Sequence, residues 1–576
     1  MKDLHTVLRD WEAVIGLEVH AELSTLNTKM FCSCPITFGA EPNTHVCPAC
    51  LGFPGALPVP NKAAIESIIL AGLATNCDIE KQTMFYRKNY FYPDMSQNFQ
   101  ITQGPVAFCM RGGLDLEVTG TAARERSERA ETTELPAAYG VEGYTTHIRI
   151  TRIHMEEDAG KLIHVGGVDG RITGSSYSLV DYNRCGTPLI ELVTEPDVRT
   201  PEEARLFLQK LRQIYLALGI SDCSMEEGSL RCDGNVSLRR RGETTFGTKT
   251  ELKNMNSFKN LHDGLAYEIC RQAEVLEQGG TVVQETRHWE PAVKRTSSMR
   301  IKETADDYRY FPEPNLTPFD LTDEFITSIQ MRLPELPDEK RRRFMEQQGL
   351  SYADATILAD DTELAAFFDA ACAILQPTSD ASAALQPTSD ASAALQPAGD
   401  ASAALQPTGD TSTTTGDAST TTGDTPTTTG GSKQYDLIKP VANLLINEVS
   451  AYLNANDLKL AATKLTPEHL VELAQLVAEG VISSKQAKEV FARMLETGAS
   501  PQTIIEQEGI RQLSDAAAID EIASAILEQF SDEVAEYQKG KTSLLAFFVG
   551  QAMKATKGQG NPKLINEAFI RLLNTD

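Results

Sequence analysis

The stretch Ala13-Val14-Ile15-Gly16-Leu17-Glu18-Val19-His20 is an apolar run that ends by alternating apolar and polar side chains. This pattern predicts a β-strand, because successive side chains of a strand point to opposite faces of its sheet. Glu18 and His20 lie two residues apart, so both point to the same face of the predicted strand. The rest of residues 1–300 continues with short strand-like runs, turns and a few helices, which indicates a mixed α and β region.

The composition is that of a large globular protein. The chain has 576 residues, of which 41% are hydrophobic and 23% are charged, and this length predicts about three or more domains. A wholly disordered chain is excluded, because the apolar content is ample for several cores. No run of about 18 apolar residues predicts a membrane-spanning helix, and the N-terminus begins without an apolar signal segment. We therefore expect a cytoplasmic protein that does not bind a membrane.

The charge balance is strongly acidic, with 80 acidic and 53 basic residues and a formal net charge of -27. A generic nucleic-acid binder is excluded, because unspecific affinity for phosphate needs clustered Lys and Arg. The stretch from Lys539 to Arg571 reverses this balance, with six basic residues and one acidic residue. It is the best candidate for a surface that contacts an RNA backbone. The alternative is the ordinary preference of Lys for the C-terminal ends of helices.

Helix signals are clearest between Thr200 and Gly219, where apolar residues recur at helical spacing. Thr200 predicts the N-cap, Glu203 is expected to complete a capping box, and Gly219 predicts the end of the helix. From about residue 315 the pattern becomes mostly helical. Two further helices are predicted in that half, at 466–480 and 484–498.

A ten-residue repeat interrupts the helical half. Leu-Gln-Pro-Thr-Ser-Asp-Ala-Ser-Ala-Ala starts at Leu375, recurs with drift and decays into Thr, Gly and Asp repeats. Residues 376–432 contain six Asp and no Lys, Arg or aromatic residue. Such a segment buries too little apolar surface to offset its ordering entropy, so we predict a disordered insertion. A solenoid is the alternative, but a single Leu per repeat is too small a core for one.

Four of the eleven cysteines form two close pairs, and they are Cys32, Cys34, Cys47 and Cys50. Two close pairs joined by a short loop can place four thiolates around one zinc ion. With four protein ligands such a site has no open position, so it would be structural. The alternative is two pairs of incidental or buried cysteines.

Acidic side chains gather in three further stretches. His154-Met155-Glu156-Glu157-Asp158-Ala159-Gly160-Lys161 is dense in carboxylates, Glu191 follows a Gly-Thr-Pro turn, and residues 225–233 bring more acids beside Arg231. Carboxylates held together repel one another unless a cation binds them, and Mg²⁺ prefers oxygen ligands. The alternative for each stretch is a solvated acidic face. No Gly-rich phosphate loop or protein-kinase signature is present, so any ATP chemistry needs a different scaffold.

An aromatic and basic stretch lies at Phe85-Tyr86-Arg87-Lys88-Asn89-Tyr90-Phe91-Tyr92-Pro93-Asp94. Aromatic faces beside cations can stack bases or hold phosphate. The alternative is a buried strand whose two cations reach the surface.

Several long motifs together resemble one family, the B subunits of the bacterial aspartyl/glutamyl-tRNA(Asn/Gln) amidotransferases. The resemblance covers nearly the whole chain except 376–432. It rests on Gly16-Leu17-Glu18-Val19-His20, residues 88–94, 154–161, 186–191 and 225–233, Asp307-Tyr308-Arg309-Tyr310-Phe311-Pro312-Glu313-Pro314, and residues 550–559.

The resemblance implies an ATP-dependent carbon–nitrogen ligase that uses glutamine as amido donor. Such proteins phosphorylate the side-chain carboxylate of misacylated Glu-tRNA(Gln) or Asp-tRNA(Asn), and ammonia then displaces phosphate to form the amide. The ammonia comes from a glutaminase A subunit, and a small C subunit completes a heterotrimer. A tRNA-binding scaffold with a dead kinase site and a ligase for a small free acid are the rival functions. The acidic and imidazole set argues against the first rival, and the basic C-terminal stretch argues against the second.

The same resemblance implies the site residues and cofactors. Those that match the family's magnesium and kinase site are Glu18, His20, Glu157 and Glu191. Asp233 matches a neighbouring or second cation position, and Lys88 is the candidate contact for the phosphates of ATP. The ligands of the structural zinc are Cys32, Cys34, Cys47 and Cys50.

The implied fold is α+β, a large catalytic cradle with antiparallel sheet followed by a helical domain and a small helical tail. The cradle is expected at 1–300 with a zinc knuckle at 32–50. The helical domain is expected at 301–505, interrupted by 376–432, and the tRNA-binding tail at 506–576.

Overall fold

The computed structural model describes residues 2–120, 132–166, 172, 174–301, 308–375, 437–510, 516–556 and 560–573. The contacts divide the chain into two compact units, Met1–Thr362 and Glu363–Asp576. The predicted disordered insertion at 376–432 lies outside the described residues, and the domain boundaries at 300 and 505 stay predictions. Every helix of the described residues falls short of the length and apolarity that crossing a membrane requires.

The strands all belong to the first unit. In chain order they are β1 (Trp11–Glu22), β2 (Asp78–Ile79), β3 (Gln82–Thr83), β4 (Phe85–Asn89), β5 (Phe99–Gln103), β6 (Cys109–Thr119), β7 (Thr133–Glu134), β8 (Gly143–Glu157), β9 (Lys161–Val165), β10 (Tyr177–Asp181), β11 (Pro188–Thr194), β12 (Leu230–Arg240), β13 (Thr250–Lys253), β14 (Glu285–Glu290), β15 (Arg295–Ile301), β16 (Phe311–Pro312) and β17 (Phe319–Asp320).

The first unit also contains helices. They are α1 (Leu4–Asp10), α2 (Lys62–Ala74), α3 (Pro201–Ala217), α4 (Phe258–Glu277), α5 (Asp323–Gln330), α6 (Pro337–Gln348) and α7 (Tyr352–Asp360). The mixture of helices with one large sheet confirms the predicted α+β class.

Thirteen of the described strands form one sheet, whose main path runs β15-β14-β13-β12-β1-β11-β8-β5-β4-β16. The predicted antiparallel pairing holds for all its strand pairs but one, because β13 and β14 are parallel. The helix α4 connects these two strands, and parallel neighbours need such a crossover connection. The strand β1 lies centrally, between β11 and β12.

The alternation along β1 separates a core face from a polar face. The side chains of Ile15, Leu17 and Val19 are at most 1% exposed and belong to the main hydrophobic core, which also receives the helices α2, α3 and α4. Glu18 and His20 have the opposite parity, so they point to the other face. The predicted alternation therefore decides which side of the sheet can carry chemistry.

The helix α3 begins and ends where the sequence predicts. The Thr200 hydroxyl accepts the backbone N–H of Glu203 at 3.0 Å, and Gly219 follows the helix with a φ of 67°. The expected capping box is wrong in one detail. The Glu203 carboxylate accepts the backbone N–H of Arg199 and the hydroxyl of Tyr144, rather than the backbone N–H of Thr200.

The second unit is helical in its described residues. Its helices are α8 (Thr362–Leu375, which begins at the boundary), α9 (Ile438–Asn443), α10 (Ser450–Asn456), α11 (Pro467–Ala478), α12 (Ser484–Thr497), α13 (Pro501–Glu508), α14 (Ala516–Gln529), α15 (Ser531–Gln538), α16 (Leu544–Ala555) and α17 (Pro562–Leu573). The two helices predicted at 466–480 and 484–498 are α11 and α12. A separate small core around Phe548 and Phe569 holds α14, α16 and α17 together.

We predict that Phe207→Ala strongly destabilises the first unit. Phe207 of α3 is 0% exposed in the main core, and removing a buried Phe ring costs about 3–5 kcal/mol. Chemical denaturation followed by fluorescence measures the loss. Phe38→Ala is the matched control, because Phe38 is 78% exposed. Equal midpoints for the two variants would contradict this core.

Candidate metal and nucleotide site

Three neighbouring strands bring two imidazoles to one carboxylate. In the antiparallel register, Glu191 of β11 lies directly opposite His20 of β1 and His154 of β8. Partners in such a row point to the same face of the sheet. The Oε2 atom of Glu191 is 3.3 Å from Nε2 of His20 and 3.3 Å from Nε2 of His154.

A second carboxylate completes this cluster. Glu156 follows His154 by two residues on β8, so it points to the same face, and its Oε1 lies 3.9 Å from Nε2 of His20. One ligand atom each from His20, Glu156 and Glu191 can lie within 4.8 Å of one another. The two carboxylates supply the oxygen ligands that Mg²⁺ and Mn²⁺ prefer, and the imidazole of His20 can add a nitrogen ligand once it has released its proton. We call these three residues the histidine–carboxylate cluster.

Charges inside this cluster shift its titration. Burial lowers the pKa of His20, but the hydrogen bond and charge of Glu191 outweigh burial and raise it to about 9. Burial also works against ionisation of Glu191, yet the charge and hydrogen bond of His154 hold its pKa well below the usual value. For Glu156, burial and the nearby charge of Glu191 raise the pKa. A divalent cation placed here would relieve the repulsion between the two carboxylates.

Glu157 was predicted to lie beside His20 and Glu191, and the structure does not bring it there. It follows Glu156 directly, so it points to the opposite face of β8. Its Oε1 accepts the side-chain amide of Gln97 at 2.6 Å and the backbone N–H of Ile101 at 3.0 Å. Burial raises the pKa of Glu157 to about 8. The dense acidic motif therefore serves two faces of the sheet, and Glu156 joins the cluster.

Glu18 and Asp233 form a second acidic group with Glu251, on the same face as His20. The side chains of Glu18 and Asp233 lie opposite each other on β1 and β12. One oxygen from each of the three carboxylates can lie within 4.8 Å of the others. Lys253 contacts Asp233 and lies 3.6 Å from Glu251. The structure therefore brings Glu18 and Asp233 together, with an ammonium already beside them.

Lys88 also lies on this face, on β4. Its ammonium is 5.2 Å from the centre of the Tyr308 ring. Burial lowers the pKa of Lys88, but the charge of Glu156 outweighs burial and the pKa is raised. Lys88 therefore stays a cation close to the histidine–carboxylate cluster, where it can meet a phosphate.

A cavity of about 580 Å³ opens beside the histidine–carboxylate cluster and the second acidic group. Its lining includes His20, Arg231, Asp233, Lys253 and His288. Both signs of charge meet at this cavity, which suits a ligand that carries phosphates together with cationic groups.

The four predicted cysteine ligands lie close together in the first unit. The sulfur atoms of Cys32, Cys34, Cys47 and Cys50 all lie within 4.8 Å of one another. A hydrogen bond from the thiol of Cys32 lowers the pKa of Cys50 to about 5, and burial raises the pKa of Cys34 to about 11. Four sulfurs without other donors are the ligand set of a structural zinc site.

Comparisons with known proteins identify the family of the chain. Residues 13–327 match the profile of the GatB/GatE catalytic domain, and residues 431–573 match that of the GatB domain. The chain belongs to the GatB family. The B subunit of the aspartyl/glutamyl-tRNA(Asn/Gln) amidotransferase of Carboxydothermus hydrogenoformans is 42% identical, over 97% of this chain and 98% of that protein. The protein of the same description from Persephonella marina is 43% identical, over 98% of this chain and 100% of that protein.

The basic stretch of this GatB family member lies in its second unit. Lys541 pairs with Glu536, and Arg571 pairs with Asp520. Lys557 lies outside the described residues. The basic residues of the stretch that are exposed on the described surface without such a pairing are Lys539, Lys554 and Lys563.

Sequence reasoning missed His154, Glu156, Glu251 and Lys253 as members of the site. His154 and Glu156 lie in the acidic motif at 154–161, in which only Glu157 was predicted to bind the metal. Strand parity was the available signal, because His154 and Glu156 are two residues apart and Glu157 is not in phase with them. Glu251 and Lys253 carry the same alternation, on a strand of only four residues.

We predict that Glu156→Gln weakens Mn²⁺ binding by about tenfold or more, because loss of a ligand exceeds the loss of an outer-shell partner. Counting free Mn²⁺ by electron paramagnetic resonance during a titration measures this affinity. Glu157→Gln is the matched control, since its carboxyl lies on the other face, and it should keep the wild-type affinity. Loss of binding in Glu157→Gln alone would contradict the assignment.

We predict that freshly purified chain contains one zinc ion, held by the four clustered cysteines. Cys34→Ser should lose the metal and lower the unfolding temperature of the first unit, because zinc binding contributes to folding. Elemental analysis and calorimetry measure the two effects. Cys372→Ser lies outside the cluster and should keep the zinc. Metal-free wild-type protein would contradict the site.

Proposed function

We propose that this chain is the amidating component of a tRNA-dependent amidotransferase, which converts Glu-tRNA(Gln) or Asp-tRNA(Asn) into Gln-tRNA(Gln) or Asn-tRNA(Asn) for translation. The observation that carries the proposal is the histidine–carboxylate cluster on the polar face of the cradle sheet, in a chain of the GatB family. The class of reaction is carbon–nitrogen ligation driven by ATP. Glutamine is the source of the transferred nitrogen.

The first step activates a poor electrophile. A side-chain carboxylate oxygen of the aminoacyl group attacks the γ-phosphorus of ATP, and ADP leaves as the new O–P bond forms. Two anions must approach each other in this step, so cations have to offset their charges. Lys88 is the candidate for this task from the protein side, because it stays protonated beside Glu156.

The metal-binding residues support the same step. We assign His20, Glu156 and Glu191 to Mg²⁺, with Glu18 and Asp233 at a neighbouring or second cation position. A bound Mg²⁺ supplies charge neutralisation for the phosphates. The zinc assigned to the four cysteines is structural, because its ligand set leaves no open position.

The second step forms the amide. Ammonia attacks the carbonyl carbon of the acyl phosphate, the C–O bond to phosphate breaks, and inorganic phosphate leaves. The nitrogen loses one proton in this step, and the leaving phosphate accepts it. The net change consumes ATP, ammonia and a carboxylate and yields ADP, phosphate and an amide.

Partners follow from the chemistry and from the family. The described residues contain no arrangement that we assign to glutamine hydrolysis, so ammonia has to come from a glutaminase A subunit. A small C subunit completes the proposed heterotrimer. The exposed Lys539, Lys554 and Lys563 are the candidate contacts to the tRNA backbone. We place the reaction in the cytoplasm.

The proposal is tested with the chain purified together with its glutaminase and small partners. With Glu-tRNA(Gln), ATP and ammonium chloride, the complex should form Gln-tRNA(Gln) without glutamine and release one ADP per amide. Glu191→Gln should lower the rate roughly 10²–10³-fold, the cost of removing one electrostatic contact to a transition state. Thin-layer separation of the released amino acids measures the product.

Two controls separate this function from its rivals. Glu243→Gln changes an exposed carboxylate outside the site and should leave the rate unchanged. Free glutamate should not be amidated, because the substrate is the aminoacyl-tRNA. Equal amidation of free glutamate would favour a small-acid ligase, and tRNA binding without any ATP consumption would favour a scaffold.

A further inference from the structure

One lysine is fully buried next to the cysteine cluster. Lys29 is 0% exposed. Its ammonium donates to the backbone carbonyl of Tyr182 at 3.2 Å, and its Nζ lies 3.7 Å from Sγ of Cys50. Within the part of the chain that the structure describes, no carboxylate comes within ion-pair distance of this nitrogen.

A buried ammonium needs a counter-charge. Moving an isolated ammonium out of water costs many kcal/mol, and proteins rarely retain one without a partner anion. Glu157 lines the same cavity as Lys29 and Cys50, but its Oε1 accepts hydrogen bonds from Gln97 and Ile101. Among the described groups that can carry a negative charge, the sulfur of Cys50 is the one that lies within hydrogen-bond distance of this ammonium.

The charge of a four-thiolate metal site matches this requirement. Four thiolates around one Zn²⁺ carry a net charge of minus two. Hydrogen bonds to the ligating sulfurs and nearby cations stabilise such a site. On the Cys50 sulfur, the structure provides the backbone N–H of Cys47 at 3.2 Å and the ammonium of Lys29.

We infer that Lys29 is a positioning residue of the zinc site, whose ammonium hydrogen-bonds the Cys50 thiolate and offsets the negative charge of the metal–thiolate complex. The inference rests on the zinc site proposed above and assigns a residue that does not ligate the metal.

The backbone around Lys29 explains how this ammonium is held. The N–H of Lys29 donates to the carbonyl of Cys34 at 3.0 Å, and the N–H of Met30 donates to the carbonyl of Gly186 at 2.8 Å. One bond ties the lysine to the first cysteine pair, and the other ties its neighbour to the segment before β11. The side chain then has little freedom to leave Cys50. Lys29 and Met30 thus link the first cysteine pair to the segment that precedes β11.

The test compares zinc release from the full chain carrying Lys29→Met, Lys29→Gln, Lys29→Arg or no change. Transfer of zinc to a chromogenic chelator gives the rate of release. Lys29→Met keeps the length of the side chain and removes its charge, so zinc should leave about 10–100-fold faster. Lys29→Arg, which keeps the charge, should restore slow release. Lys62→Met is the matched control, because Lys62 is an exposed lysine outside the cluster, and it should behave as wild type.

A spectroscopic readout separates an effect on the sulfur from a general loosening of the fold. In cobalt-substituted protein, the thiolate-to-cobalt charge-transfer band of Lys29→Met should shift to lower energy, because its sulfur loses a stabilising positive charge. If Lys29→Met fails to fold, Lys29→Gln serves as the neutral variant in both measurements.

The outcomes distinguish the two proposals. Wild-type release rates and an unshifted band in the neutral Lys29 variants, with zinc bound in all proteins, would overturn the role of Lys29 and leave the zinc site intact. Absence of zinc from wild-type protein would overturn both. Fast release from Lys29→Met together with rescue by Lys29→Arg supports the inference.

Discussion

The register of three antiparallel strands is the constraint on which the site depends. Glu191 of β11 stands between His20 of β1 and His154 of β8, and the pairing of these strands aligns the three side chains in one row. A slip of one residue in either pairing would send a member of this row into the hydrophobic core. The apolar residues on the other face, such as Ile15 and Leu17, therefore hold the polar residues in place. The packing that forms the core therefore also positions the histidine–carboxylate cluster.

The two faces of the strand β8 divide the chemistry of one dense motif. His154 and Glu156 point to the cluster, while Glu157 points to the cavity that Lys29 and Cys50 also line. Two residues of the cysteine cluster, Cys32 and Cys50, therefore line the same cavity as the last residue of the strand that presents the metal-binding side chains.

Much of this architecture is predictable from the sequence because it depends on local patterns. The alternation at Leu17-Glu18-Val19-His20, the cap at Thr200 and the four clustered cysteines each carry their information within a few residues. The assignment of Glu157 instead of Glu156 shows where local reasoning stops. Two adjacent acids look alike in a sequence, and only the pairing of β8 with β11 tells which one shares a face with His20. The motif match identifies the stretch 154–161 as part of the site, but the strand parity decides that Glu156 rather than Glu157 faces His20.

Other features could not be predicted because they depend on contacts between distant parts of the chain. The contact of Lys29 with Cys50 and that of Lys253 with Asp233 each join residues about 20 positions apart, and the local sequence does not predict which side chains meet. The parallel pair β13 and β14 is set by the path of α4 over the sheet, which strand patterns alone do not reveal.

We propose that His20, Glu156 and Glu191 hold a divalent cation where ATP meets the aminoacyl group. Anomalous diffraction from crystals of the complex soaked with Mn²⁺ and a non-hydrolysable ATP analogue tests it most directly. We expect an anomalous peak at the manganese absorption edge between these three side chains, with the phosphates of the analogue beside it. A peak on the Glu157 face of the sheet, or phosphates bound far from any of the three residues, would contradict it.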